Sequence, residues 1–191
     1  MKIWVHRISM LSVLVASTAW SGCTVQRVDF STIRQPDVSK EMNAFGVFVG
    51  SWTWEAEMKN ASEADRHWKG TAEWAWDLDG RALRGSIESK SASAEFKSEG
   101  IWSWHPTRKR YVWWMFNNWG YPQSGTARLS PCGTEWTMNY RSVGLDGTPS
   151  HGRYHLTVVN RDTLSWSVVE WADALHLVKK MEMCGTYNRV R

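Results

Sequence analysis

From residue 49 to the C-terminus the chain alternates apolar and polar residues one by one, in ten short runs joined by short links. In Val49–Met58, Trp52, Trp54, Ala56 and Met58 alternate with Ser51, Thr53, Glu55 and Glu57. In Trp68–Leu78, Trp68, Gly70, Ala72, Trp74, Trp76 and Leu78 alternate with Lys69, Thr71, Glu73, Ala75 and Asp77. Successive side chains of a strand point to opposite faces, so each run has one apolar and one wet side. Further runs follow at 81–89, 94–104, 111–119, 125–130, 134–143, 152–160, 163–171 and 175–190. Asp79-Gly80 carries a hairpin signal, and Pro131-Cys132-Gly133 and Asn160-Arg161-Asp162 form tight turns. Ten strands without a strong helix between them predict an all-β, up-and-down antiparallel meander with one buried face, most simply closed into a barrel; an open sandwich is the competing architecture.

Strand direction then sorts the tryptophans, which number 15 in 191 residues. If the first strand runs up, Trp52, Trp54, Trp74, Trp76, Trp102, Trp104, Trp113, Trp136 and Trp166 all fall at the lower end. Each buried indole removes roughly 150–250 Å² from water. The expectation is a packed plug below and tight lower turns. Above lie the longer links 59–67, 120–124 and 144–151, and small inward residues such as Ala56, Gly70, Ala72, Gly85, Ala94 and Ser98. A cavity open at the top follows, unless larger side chains collapse into it. Mouths of β-barrels are usual ligand sites.

Before residue 45 the pattern differs. Lys2 and Arg7 precede the apolar stretch Ile8–Ala19, which is too short to span a bilayer well and reads as a signal peptide over 1–22. Trp20-Ser21-Gly22-Cys23 resembles a bacterial lipobox, with Trp20 where that motif has an aliphatic residue. It implies lipidation of Cys23 and export, with attachment to a membrane through lipid alone; ordinary cleavage near Ser21 is the alternative. Residues 23–44 read as a tether, with a short helix over Ser39–Phe48 weakened by Gly46. The barrel domain is expected over 45–191. The formal charge of +4 drops by two once Lys2 and Arg7 leave with the leader. Arg108-Lys109-Arg110 is a solvated turn, and no nucleic-acid footprint is expected. In an oxidising compartment Cys132 and Cys184 form a disulfide candidate, against two free thiols. No metal-ligand spacing occurs.

Several segments also carry a family resemblance. Gly50-Ser51-Trp52 resembles the Gly-x-Trp signature of calycin-type barrels, the lipocalins and their relatives, and Arg189 resembles the late Arg that packs over that Trp. Residues 45–191 resemble the bacterial family called domain of unknown function 1579. The matching pieces are Phe48-Val49-Gly50-Ser51-Trp52, Asp77-Leu78-Asp79-Gly80-Arg81-Ala82-Leu83-Arg84, Trp104-His105-Pro106 with Lys109-Arg110-Tyr111, and Tyr187-Asn188-Arg189. His105, where that family commonly has Asp, and the extra Trp residues depart from it. The resemblance implies a calycin-like barrel with Gly50, Trp52 and Arg189 as its structural signature, and no activity. Nitrobindin-like relatives open with Gly-x-Trp-x-Gly-x-Gly and hold haem through a late-strand His. Here Trp54 and Ala56 replace the two glycines, and His155 and His176 fall on the outward set, so neither haem nor another cofactor is expected.

The chemistry-bearing residues are few. Glu170 takes inward parity with Leu164, Trp166 and Val168, and Lys179 takes it on the adjoining strand. They read as an ion pair, or else Glu170 is a general base or polar anchor with a raised pKa. Trp68, Asn117, Trp119 and Tyr121 fall near the top and, with Glu170 and Lys179, form the candidate ligand-binding set; His67 and His151 are placed in top loops. The leading expectation is a barrel that binds a small apolar or aromatic molecule in the cell envelope. The alternatives are a cavity enzyme of isomerase or cyclase type using Glu170, and a carbohydrate- or protein-binding surface built on outward Trp114 and Trp171.

Overall fold

The computed structural model describes residues 29–32, 34–144, 146–173 and 175–191. The expected signal peptide, Cys23 and the start of the tether through residue 28 lie outside the described residues. Before Asp37 the described residues include a short 3-10 helix at Phe30–Thr32, with the Asp29 carboxylate accepting the Ser31 N–H at 2.9 Å.

From Asp37 the chain forms a closed antiparallel barrel of ten strands. They are β1 Gly50–Met58, β2 His67–Asp77, β3 Ala82–Lys90, β4 Glu95–His105, β5 Arg110–Asn117, β6 Gln123–Leu129, β7 Glu135–Val143, β8 Pro149–Asn160, β9 Thr163–Trp171 and β10 Lys179–Arg189. Each pairs with its neighbours in sequence, and β1 pairs with β10 through Trp52↔Arg189 to Met58↔Met183, so the sheet has no edge. The meander and its closure are as the alternation predicts.

Two expected strands are shorter than their apolar pattern. The run 111–119 stops at Asn117, whose side-chain oxygen accepts the backbone N–H of Trp119 and of Tyr121 and turns the chain. The run 175–190 begins only at Lys179. The Asp173 carboxylate gathers the N–H groups of Leu175, Leu177 and Val178, which keeps 175–178 out of the strand. A register shift between Lys179 and Met181 then reverses the expected parity of Lys179.

The end at which β1 begins is closed by more than indoles. A 3-10 helix, Lys40–Val47, crosses it and buries Met42 and Phe45. Phe45 stacks on Trp136 at 5.2 Å, and the Tyr111 hydroxyl donates to the Glu41 carbonyl at 3.0 Å. The expected tether therefore gives way to the barrel unit before residue 45. The signature residues tie this helix down. Trp52 is fully buried, and its indole N–H donates to Phe48 O at 2.7 Å. The Arg189 guanidinium lies 4.2 Å over the Trp52 ring and donates to the carbonyls of Val47 and Val49. It satisfies acceptors that a helix C-terminus leaves open. Gly50 makes this arrangement fit. Its φ is +126°, and a Cβ there would lie 2.6 Å from Arg189 Nη1.

Of the nine tryptophans expected in the plug, Trp52, Trp54, Trp74, Trp113, Trp136 and Trp166 are buried. Trp102 and Trp104 are half-buried, and Trp76 is 41% exposed. β1 begins opposite Trp74, so Trp76 has no neighbour on that side; Trp104 likewise lies beyond the β3–β4 pairing, which ends at Trp102↔Leu83. Cys132 and Cys184 are both free. Cys132 sits in the closed-end turn before β7. Cys184 lies well up β10 opposite Glu57, rather than at the strand's closed end, so the disulfide expectation fails on register.

Candidate functional site

Above the plug the barrel encloses a cavity of about 240 Å³ that reaches the open end. Its lower wall is Phe48, Trp54, Trp74 and Trp166; Met138 lines it above Trp136 on β7, and Met58, Met115, Met181 and Met183 line it higher, beside Trp68 and Trp119. The inward small residues do not simply widen it. A Cβ on Gly85 would sit 2.2 Å from the Trp74 ring, and one on Gly70 would sit 2.7 Å from the Trp54 indole nitrogen, so both glycines are niches for indoles. The space above is bounded by aromatic side chains together with thioethers, which read as ordinary core in the sequence. Their inward parity on β1, β5, β7 and β10 was the available signal.

Trp68 on β2, Glu170 on β9, Asn117 at the end of β5, and Trp119 and Tyr121 in the turn after it all line the cavity. Trp68 and Phe96 pack edge-on against Trp119, at 6.4 and 5.1 Å, and form an aromatic rim. The Trp68 and Trp119 indoles donate to the carbonyls of Asp65 and Glu95. Asn117 donates to Tyr121 O at 2.8 Å while its oxygen holds the turn, so its polar atoms organise the rim. Lys179 does not line the cavity. It faces outward and pairs with Glu182 at 2.7 Å. His67 and His151 lie on strands β2 and β8 instead of in loops, and neither lines the cavity.

Glu170 is the chemical centre of the upper cavity. Tyr140, Gly152 and Glu170 stand opposite one another on β7, β8 and β9. A Cβ on Gly152 would lie 2.0 Å from Tyr140 Cζ, so the tyrosine ring occupies the place of a side chain there. That lets Tyr140 reach across β8 and donate to Glu170 Oε1 at 2.9 Å. Glu170 is 7% exposed, and burial raises its pKa against the opposing pull of the Tyr140 hydrogen bond and of Lys180. The Lys180 ammonium itself is engaged with Asp146 at 2.7 Å. The expected Glu170–Lys179 pair does not form. Burial also raises the pKa of Tyr140, Tyr154 and Tyr187, which stay protonated hydroxyls.

Other polar atoms in the wall lack partners. The indole nitrogens of Trp54, Trp113 and Trp166 and the Ser89 hydroxyl have none among the described residues. Each such group costs about 1–3 kcal/mol of desolvation. Among the described residues no cluster of three or more His, Cys, Asp or Glu is placed to hold a metal. His155 is on the outer face beside Thr137, and His176 stacks on Trp171 in the loop before β10, at 4.2 Å. Trp114 on β5 and Trp171 on β9 are four strands apart around the barrel, so the outward tryptophans do not form one platform.

No family model matches the chain, and no curated protein does. Solved structures do. The crystal structure of Rv2717c from M. tuberculosis covers 81% of this chain and 100% of its own, with a TM-score of 0.58 and 15% identity. The S-type phycobiliprotein lyase CPES from Guillardia theta covers 82% and 99%, with a TM-score of 0.50 and 12% identity. These similarities place the fold among ten-stranded lipocalin- or calycin-like barrels.

Proposed function

We propose that this barrel binds one small, largely apolar aromatic molecule in the cavity between the Trp plug and the Trp68–Trp119 rim. The observation that carries the reading is the wall itself: a preformed cavity lined by indoles and thioethers, in which a few buried polar atoms lack partners. Apolar enclosures with a small number of polar groups are the usual form of ligand sites. Thioether side chains adapt to a ligand's outline at little cost. The neutral dye phenylnaphthylamine tests this, because its fluorescence rises in apolar surroundings and it accepts excitation from Trp. Saturable one-site binding is expected, and Met115→Trp, which fills the upper cavity, should abolish it. Unchanged binding in that variant would show that the dye sits elsewhere and would defeat the reading.

A second reading has its own observation, the buried Glu170 carboxyl beside Tyr140. An isomerase or cyclase would use it as a base. The two readings separate on the bound compound: a binding protein returns it unaltered, whereas an enzyme returns a rearranged one only while Glu170 is intact.

We further propose that the chain belongs with the bacterial barrels of domain of unknown function 1579, and that it is exported and held to a membrane by lipid on Cys23. Cys23→Ser should release the protein from the membrane fraction of its host. Continued membrane association of that variant would remove the anchor from the proposal.

A further inference from the structure

The charge pattern of the cavity narrows the ligand class. Glu170 is the one acid among the described residues that line it, and no Lys, Arg or His lines it. Of the two lysines closest in sequence to its β10 partner Met181, Lys179 pairs with Glu182 and Lys180 with Asp146, so Lys180 reaches Glu170 by its field but forms no ion pair with it. A carboxylate removed from water without a counter-ion costs several kcal/mol. Tyr140 supplies one hydrogen bond and no charge.

Among the described residues the remaining wall adds no positively charged side chain, and its uncharged donors include the indole N–H groups of Trp54, Trp113 and Trp166 and the Ser89 hydroxyl. Tyr140 packs against Trp113 at 5.6 Å, and on β8 and β9 Tyr154 stacks on Trp166 at 5.4 Å. Aromatic faces carry the negative end of the ring quadrupole, so they attract a cation and disfavour an anion. The Met181 and Met183 sulfurs beside them are polarisable acceptors. Thioether acceptors and electron-rich rings thus stand near Glu170 on the strands that flank it.

We propose that the cavity selects hydrophobic organic cations, with an ammonium group at Glu170 and an aromatic body among the Trp and Met side chains. This rests on the reading of the cavity as a ligand site and adds the sign of the ligand's charge. The ligand then supplies the counter-ion that the lining residues do not.

Calorimetric titration with three probes of one shape tests it: naphthylmethylamine, naphthylmethanol and naphthoate, which are cationic, neutral and anionic at neutral pH. The amine should bind about tenfold or more tighter than the alcohol, with naphthoate weakest. In Glu170→Gln the amine should fall to the alcohol's affinity, while the alcohol stays within about twofold. An alcohol that binds wild-type protein as tightly as the amine overturns the charge selection and leaves the ligand cavity standing. Failure of all three to bind overturns both. The wild-type ranking decides the matter even if Glu170→Gln does not fold.

Discussion

Gly152 shows how one absent side chain sets the chemistry of the site. Tyr140 lies across it to reach Glu170, so Gly152→Ala should push the ring away and break that hydrogen bond. The expected loss is roughly 1–3 kcal/mol of unfolding free energy by denaturant titration. Tyr140→Phe, which removes the hydroxyl and keeps the ring, should lose less. Glu170→Gln has the opposite sign. Burial raises the folded-state pKa, so the native chain holds this proton more tightly than the unfolded chain does. That contribution is fully present below the unfolded value of about 4.3 and is lost as pH rises through the raised folded value. The groups opposing the shift are Tyr140 from β7 and Lys180 from β10. Thermal melts of Glu170→Gln should therefore exceed wild type at pH 8 and converge with it toward pH 4. A lower melting temperature at pH 8 would mean that an ionised partner holds the carboxylate. Inward parity made Glu170 legible in the sequence. Tyr140 was not, because its role depends on a glycine one strand away. Lys179 was misplaced, because alternation carries no mark of a bulge.

Among the elements, the strands were legible and their ends were not. Period-two alternation registers side-chain faces, whereas Asn117 and Asp173 end or delay strands by binding backbone N–H groups, which periodicity does not record. The same limit hid the turn chemistry of Cys132. Hydrogen bonds with Ser130 and Thr134 bring its thiol down to about 7. Iodoacetamide at pH 7.5 should therefore alkylate Cys132 ahead of Cys184 in unreduced protein, as followed by peptide mass; resistance of both thiols would restore the disulfide. The closing helix was legible as a helix but not as part of the barrel, because its partners Trp136 and Tyr111 come from distant strands. Its attachment hangs on Gly50 and Arg189. Gly50→Ala would force a non-glycine residue to φ +126° and displace the guanidinium from the Val47 and Val49 carbonyls. A loss of about 2–3 kcal/mol is expected in chemical denaturation, larger than for an exposed glycine such as Gly133.

At the scale of the whole molecule, the barrel divides its apolar residues by stiffness. Rigid indoles fill the closed half, whereas in the open half flexible thioethers line the cavity beneath the Trp68–Trp119 rim. Strand direction made the first visible in the sequence; Met, which reads as core, concealed the second. The division makes a graded prediction. Trp52 is fully buried and holds Phe48 and Arg189 in place, so Trp52→Ala removes a large ring from a site that cannot collapse. It should cost roughly 3–5 kcal/mol, and Trp74→Ala should approach that. Trp104 overhangs the β3 pairing and is half-buried, so its truncation should cost about half as much. Met138→Ala takes atoms from the edge of a space that already exists. The new volume joins the cavity rather than opening a separate void, so the loss should stay near the transfer cost of the removed groups, about 1–2 kcal/mol. The enlarged cavity should then admit a bulkier dye than wild type does. Thermal melts of the four variants, with phenylnaphthylamine and a larger analogue as probes, measure both effects. If Met138→Ala unfolds as readily as Trp52→Ala, the open half is a packed core like the closed one, and the division fails.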